Sequence, residues 1–93
     1  MMTAPSSSTC TLYIQDVWRD PNTPGKFHLL GEIVSAPPER KDNTFFAIGR
    51  RIEAFTFSLP RDVRAGATAR ADVEFMGDPF VQRYLLTNLE RVA

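Results

Sequence analysis

From Ala67 to Met76 the chain alternates at every second residue: Ala67, Ala69, Ala71, Val73 and Phe75 on one side, Thr68, Arg70, Asp72, Glu74 and Met76 on the other. Successive side chains of a strand point to opposite faces, whereas a helix would mix the two sets, so this run predicts a strand with one buried and one wet face. Upstream, Phe55, Phe57 and Leu59 alternate with Thr56 and Ser58, and Pro60 ends the run because it has no N–H to give to a ladder. Gly66 opens the next strand. Gly77, Asp78 and Pro79 make a turn cluster, and the following Phe80 to Leu89, with Val81, Leu85 and Leu89, is expected to be a strand carrying a bulge or strong twist. Phe55 to Leu89 is thus two strands and a tight turn feeding a third, and the rest of the chain must pack on it.

Cys10 to Trp18 is the first strand candidate, with Cys10, Leu12, Ile14 and Trp18 alternating against Thr11, Tyr13, Gln15 and Val17, and Asp16 interrupting the apolar side. Arg19 to Gly25 is dense in turn formers and joins it to Lys26–Val34, where Phe27, Leu29, Gly31 and Ile33 oppose His28, Leu30, Glu32 and Val34. A glycine in mid-strand, Gly31, predicts a bulge or a sharp bend of the kind small barrels use at corners. Ser35 to Asn43 breaks the pattern with two prolines and four charges. Thr44 to Ile48 is a further strand segment, apolar on both faces, and Gly49, Arg50 and Arg51 interrupt it before Ile52; Thr44 to Leu59 is either one hairpin or one kinked strand. No amphipathic helix of useful length is present. The prediction is an all-β chain, a small five- to six-stranded antiparallel β-barrel, with a core of Leu12, Ile14, Phe27, Leu29, Ile33, Phe55, Phe57, Val73, Phe75 and Leu85.

Ninety-three residues fit one core. Met1 to Thr9 is Ser, Thr and Pro without the basic start and apolar stretch of a secretion signal, so residues 1–9 are expected to be a flexible tail and 10–93 a single domain. No apolar run approaches the roughly 18 residues of a spanning helix, and no membrane association is expected. The single cysteine, Cys10, rules out an intrachain disulfide and fits a reducing, cytoplasmic setting. With 11 basic and 11 acidic residues the net charge is zero, so any nucleic-acid site must be a local patch.

The order of elements resembles the oligonucleotide/oligosaccharide-binding (OB) fold over Lys26 to Val92. Gly31, Ile33, Pro37 and Pro38 are similar to the end of an early OB strand with its loop, and Leu59, Pro60, Val63, Gly66, Ala69 and Val73 to the passage before the fourth strand of small bacterial single-strand DNA-binding domains. The resemblance implies an OB-like barrel and raises the expectation of nucleic-acid binding. Such domains commonly carry a helix between the third and fourth strands, and Pro60 to Gly66 has room for about one turn.

Catalysis is not expected. His28 is the only histidine, Cys10 has no basic neighbour in sequence, no residues have metal-ligand spacing, and no glycine-rich phosphate loop occurs, so neither a catalytic site nor a metal or other cofactor is assigned. A single-strand interface needs cations along a groove and rings for base stacking. Arg40, Lys41, Arg50 and Arg51 bracket Phe45 and Phe46, and these cations are the candidates for phosphates. Trp18 beside Arg19, with Phe46 and Tyr84, supplies the stacking candidates, and Arg83 extends the patch if its strand is adjacent. Arg70 shares a strand face with Asp72 and Glu74, which favours cross-strand pairing over phosphate binding. The first expectation is therefore single-stranded DNA or RNA as partner. The competing one is a protein-binding or self-associating module docking through Leu30, Val34, Phe45, Met76 and Phe80. Salt separates the two, because neutralised phosphates release counterions and apolar surfaces do not.

Overall fold

The computed structural model describes residues 7–36, 46–77 and 82–93, without the side chains of Ser7 and Gln82. Five strands, β1 (Ser7–Arg19), β2 (Phe27–Ser35), β3 (Arg51–Thr56), β4 (Thr68–Gly77) and β5 (Gln82–Arg91), close into a barrel in the order β1-β2-β3-β5-β4. Among the described residues there is no α-helix, and none therefore long and apolar enough to cross a membrane. Four of the ladders are antiparallel, as expected; the seam that closes the barrel, β3 against β5, is parallel and pairs only Ala54 with Tyr84 and Phe55 with Leu85. The all-β barrel expected from the alternation is present, as a mixed rather than wholly antiparallel sheet.

β4 follows the predicted phase. Ala67, Ala69, Ala71 and Val73 are buried and Arg70 and Glu74 are exposed. The core also takes in residues from the connections. Phe46 and Val63 both belong to the core cluster although neither lies in a strand. In β2, Leu29, Gly31 and Ile33 face inward as predicted. A Cβ on Gly31 would lie 3.2 Å from the Tyr13 carbonyl oxygen of the neighbouring strand, so glycine is what allows β1 and β2 to come this close beside the β1 bulge.

That bulge lies between Ile14 and Asp16, where Gln15 is the extra residue. It inverts the phase of β1: Cys10, Leu12 and Ile14 face inward before it, while after it Val17 packs on the core and Trp18 faces out. Asp16 thus interrupts the predicted apolar side because the strand turns over there, and its Oδ1 accepts the Val17 N–H at 2.9 Å. A second bulge shifts the register between Arg70 and Asp72 against β5, where Asn88 has a φ of 52°. Its effect is to put Tyr84, Leu86 and Leu89 inside, so the bulge separates Leu89 from half-buried Leu85 instead of bringing the two to one side.

Three expectations are corrected. The third described strand begins at Arg51; of the expected segment Thr44–Ile48, Thr44 and Phe45 lie outside the described residues, and Ala47 to Arg50 form a turn closed by Arg50 N–H to Ala47 O at 3.0 Å, with Ile48 exposed. Within β3 the inward residues are Ile52, Ala54 and Thr56, so Phe55 is half-buried and Phe57 is 59% exposed. Ala54 pairs with Leu29 on one side and Tyr84 on the other, and a small residue between two large inward ones is what the narrow interior accepts. The Thr56 hydroxyl is satisfied locally, accepting the Ser58 N–H at 3.2 Å, which lets a polar side chain occupy the inner face. Lastly, Ser7 to Thr9, assigned to the tail, pair in turn with Glu74, Val73 and Asp72 at the start of β1.

The β3–β4 connection is short. Val63, buried at its centre, is held by its N–H to Pro60 O at 3.2 Å. Gly66, at a φ of 95°, donates its N–H to Ile14 O at 2.8 Å, and Ile14 N–H returns to Ala67 O at 2.8 Å. The positive φ suits glycine. It lets the connection join the β1 ladder directly, with Val63 placed in the core.

Candidate nucleic-acid interface

Cross-strand register places three outward side chains in one row. Trp18 of β1 pairs with His28 of β2, and His28 pairs with Phe55 of β3. The Trp18 and His28 rings stack with centroids 5.6 Å apart and an interplanar angle of 16°. Phe55 meets Phe57 edge-on at 5.8 Å and carries the Lys26 ammonium over its ring at 4.8 Å. At the end of the same strands the Arg19 guanidinium lies 5.7 Å from the centre of the Phe27 ring. Cations held over ring faces gain from the ring quadrupole while keeping their charge available at the surface.

The turn between β1 and β2 fixes this row. Asp20 Oδ1 accepts the N–H groups of Asn22 and Thr23, both at 2.8 Å, which is the turn-forming use of an aspartate. Its other oxygen accepts from His28 Nε2 at 2.7 Å. The bond from His28, followed by that from Asn22, holds the Asp20 carboxyl down to about 2 from its usual 3.8. Asp20 N–H to Lys26 O at 2.9 Å closes the loop. One carboxylate therefore sets the loop, the orientation of the imidazole and, through the stack, the indole.

Beside the row is a recess of about 420 Å³ lined by Asp20, Lys26, His28, Glu53, Ala54, Phe55 and Arg83, in the range of small-ligand sites. Further along the face, Asp16, Leu30 and Glu53 form the next row, and Tyr13, Glu32 and Arg51 the one after it. The face is mixed in charge, aromatic and cationic at the β1–β2 loop and acidic in its middle.

The sequence-predicted residues divide accordingly. Trp18 and Arg83 come to the loop end of this face and Arg51 to its far end, whereas Arg19, next to Trp18 in β1 and over the Phe27 ring, alternates to the other side at the same end. Arg40 and Lys41, with Phe45 and Phe80, lie outside the described residues. Phe46 and Tyr84 are not stacking platforms. Both are core residues, 0% and 2% exposed, packed edge-on to one another at 6.4 Å. Arg50 is tied to them, its Nε–H donating to the Tyr84 hydroxyl at 3.1 Å. Arg70 pairs with Glu90 at 3.2 Å across the β4–β5 ladder, as its setting suggested. His28, Lys26, Glu53 and Phe55 were not anticipated as site residues. Phe55 was assigned to the core by strand phase, and the pairing of His28 with Asp20 spans a loop whose closure the sequence pattern does not give.

No protein-family model matches the chain, and neither a curated protein nor a solved structure is significantly similar to it.

Proposed function

We propose that this protein is a non-catalytic binding module for single-stranded nucleic acid, and that the ligand crosses the outer face of β2 and β3 at the β1–β2 loop. The observation that carries the reading is the row Trp18–His28–Phe55 with Lys26 and Arg83 beside it and Arg19 at the same end of the barrel. Each base stacked on such a ring contributes about 1–3 kcal/mol, and the cations supply the phosphate term. A small closed five-stranded barrel is compatible with an OB-like fold, and OB barrels bind oligonucleotides on strands 2 and 3 with the loops between strands 1 and 2 and strands 4 and 5. Arg40 and Lys41 add cations on the connection between β2 and β3.

Anisotropy of a labelled oligothymidylate tests this. If Arg19, Lys26, Arg51 and Arg83 each neutralise one phosphate, a fourfold rise in salt lowers affinity about 50-fold. Absence of binding at low salt rejects the reading.

A second reading, docking of a protein partner or a second copy, draws on Val34 and Ile48, 41% and 69% exposed. The turn bearing Ile48 is bonded to the end of β2 through Gly49 N–H to Ile33 O at 2.7 Å, which brings the two side chains to one end of the barrel. That end is roughly 20 Å along β2 from His28 at the rise of an extended strand. Sedimentation equilibrium of the wild type and of Ile48→Glu tests it: a monomer in both removes self-association.

A further inference from the structure

The recess beside the aromatic row holds two carboxylates, and they differ. Asp20 spends both oxygens on the loop and on His28. Glu53, exposed on β3, makes no hydrogen bond or ion pair among the described residues, although Lys26 and Arg83 line the same recess. A free carboxylate on a face that binds a polyanion repels phosphate, so on such a face it weakens binding unless it meets donors on the ligand. Base edges are the donors available.

A carboxylate offers two parallel acceptor oxygens. On the Watson–Crick edges, guanine alone presents two adjacent donors, N1–H and the N2 amino group. Adenine and cytosine set a ring-nitrogen acceptor beside their amino group, and thymine and uracil flank N3–H with two carbonyl oxygens, each of which would repel the second carboxylate oxygen. Glu53 lies two residues before Phe55 on the same outward face of β3, so a base against the Phe55 ring has its edge within the reach of that carboxylate.

We propose that this recess selects guanine within a single strand, Glu53 accepting from N1–H and from the N2 amino group. The proposal rests on the nucleic-acid reading above and names the base at that site. The test compares three oligonucleotides of about 12 nucleotides, within the span of one such barrel. One is all thymidine, one carries a single central guanine, and one carries inosine, which keeps N1–H and lacks the amino group, at that place. The guanine strand is expected to bind about tenfold more tightly than the thymidine strand, with inosine between them. In Glu53→Gln the guanine advantage is expected to vanish while thymidine binding holds or rises, since a repulsive charge is gone. Equal affinity for guanine and thymidine strands, or equal affinity for guanine and inosine, overturns the proposal without recourse to a variant. A guanine advantage that survives in Glu53→Gln overturns it as well. Failure to bind any of the three overturns the nucleic-acid reading itself.

Discussion

The indole of Trp18 and the imidazole of His28 stack at 5.6 Å from paired positions on β1 and β2, and Asp20, bonded to His28 at 2.7 Å, fixes the imidazole in that stack. A ring held in this way by a neighbour and a loop carboxylate loses little conformational freedom when a ligand settles on it, and that preorganisation favours binding.

Trp18→Ala removes the outermost ring of the row. Oligonucleotide affinity should fall by about 1–3 kcal/mol, the worth of one stacked base. Stability should fall by only about 0.5–1.5 kcal/mol, the worth of the lost ring pair, because Trp18 is 38% exposed. Anisotropy titration and urea unfolding of the same variant separate the two losses; unchanged affinity would take Trp18 out of the site.

Phe46 and Phe57 make a matched pair of the same residue type in opposite settings, 0% and 59% exposed. Phe46→Ala should cost about 3–5 kcal/mol, the usual loss for a buried phenylalanine. Phe57→Ala should cost only about 0.5–1.5 kcal/mol, the worth of its edge-on pair with Phe55. Comparable shifts of the two urea midpoints would mean that β3 presents the other set of side chains to the core.

Gly31→Ala puts a methyl group 3.2 Å from the Tyr13 carbonyl oxygen, a backbone atom that can move only with the β1 ladder. The expected cost is about 1–3 kcal/mol, as for other overpacked interiors. Thermal unfolding measures it, and a neutral substitution would show that the strands at the bulge yield freely.

Acid should weaken the β1–β2 loop in a defined window. The Asp20 carboxyl is depressed from 3.8 to about 2, so the stability it contributes is full above 3.8 and is lost as the pH falls through about 2. The difference in thermal midpoint between the wild type and Asp20→Asn should therefore shrink across that interval. A difference that stays constant through it would assign the effect to something other than the Asp20 charge.

Much of the fold was legible in the residues, for reasons that also mark where legibility stopped. The two-residue alternation of Ala67 to Phe75 fixes β4 and its inward face, and Leu29, Gly31 and Ile33 do the same for β2. Strand phase was misassigned where a local irregularity or a neighbour's bulk overrides alternation. Gln15 at the β1 bulge turns Trp18 outward, and Ala54 between Leu29 and Tyr84 turns Phe55 and Phe57 outward. At β3 the aromatic residues end up outside because a small one suits the narrow interior, whereas at β1 the bulge reverses the phase. Those reversals also moved the candidate site. Trp18, Arg19, Arg51 and Arg83 were named from composition and spacing, but the rings with which Trp18 forms its row, His28 and Phe55, depend on register between strands. Phe46 and Tyr84 look like stacking rings beside arginines in sequence, yet both are buried in the core cluster, edge-on to one another.

Trp18 is the only tryptophan in the chain, so tryptophan emission, excited to the red of the absorption of Tyr13 and Tyr84, reports on the proposed face and on no other. Titration with unlabelled oligothymidylate at low salt should quench the emission saturably, and added salt should restore it as phosphate contacts are lost. Emission that stays constant through an excess of oligonucleotide at low salt would contradict binding at the Trp18–His28–Phe55 row.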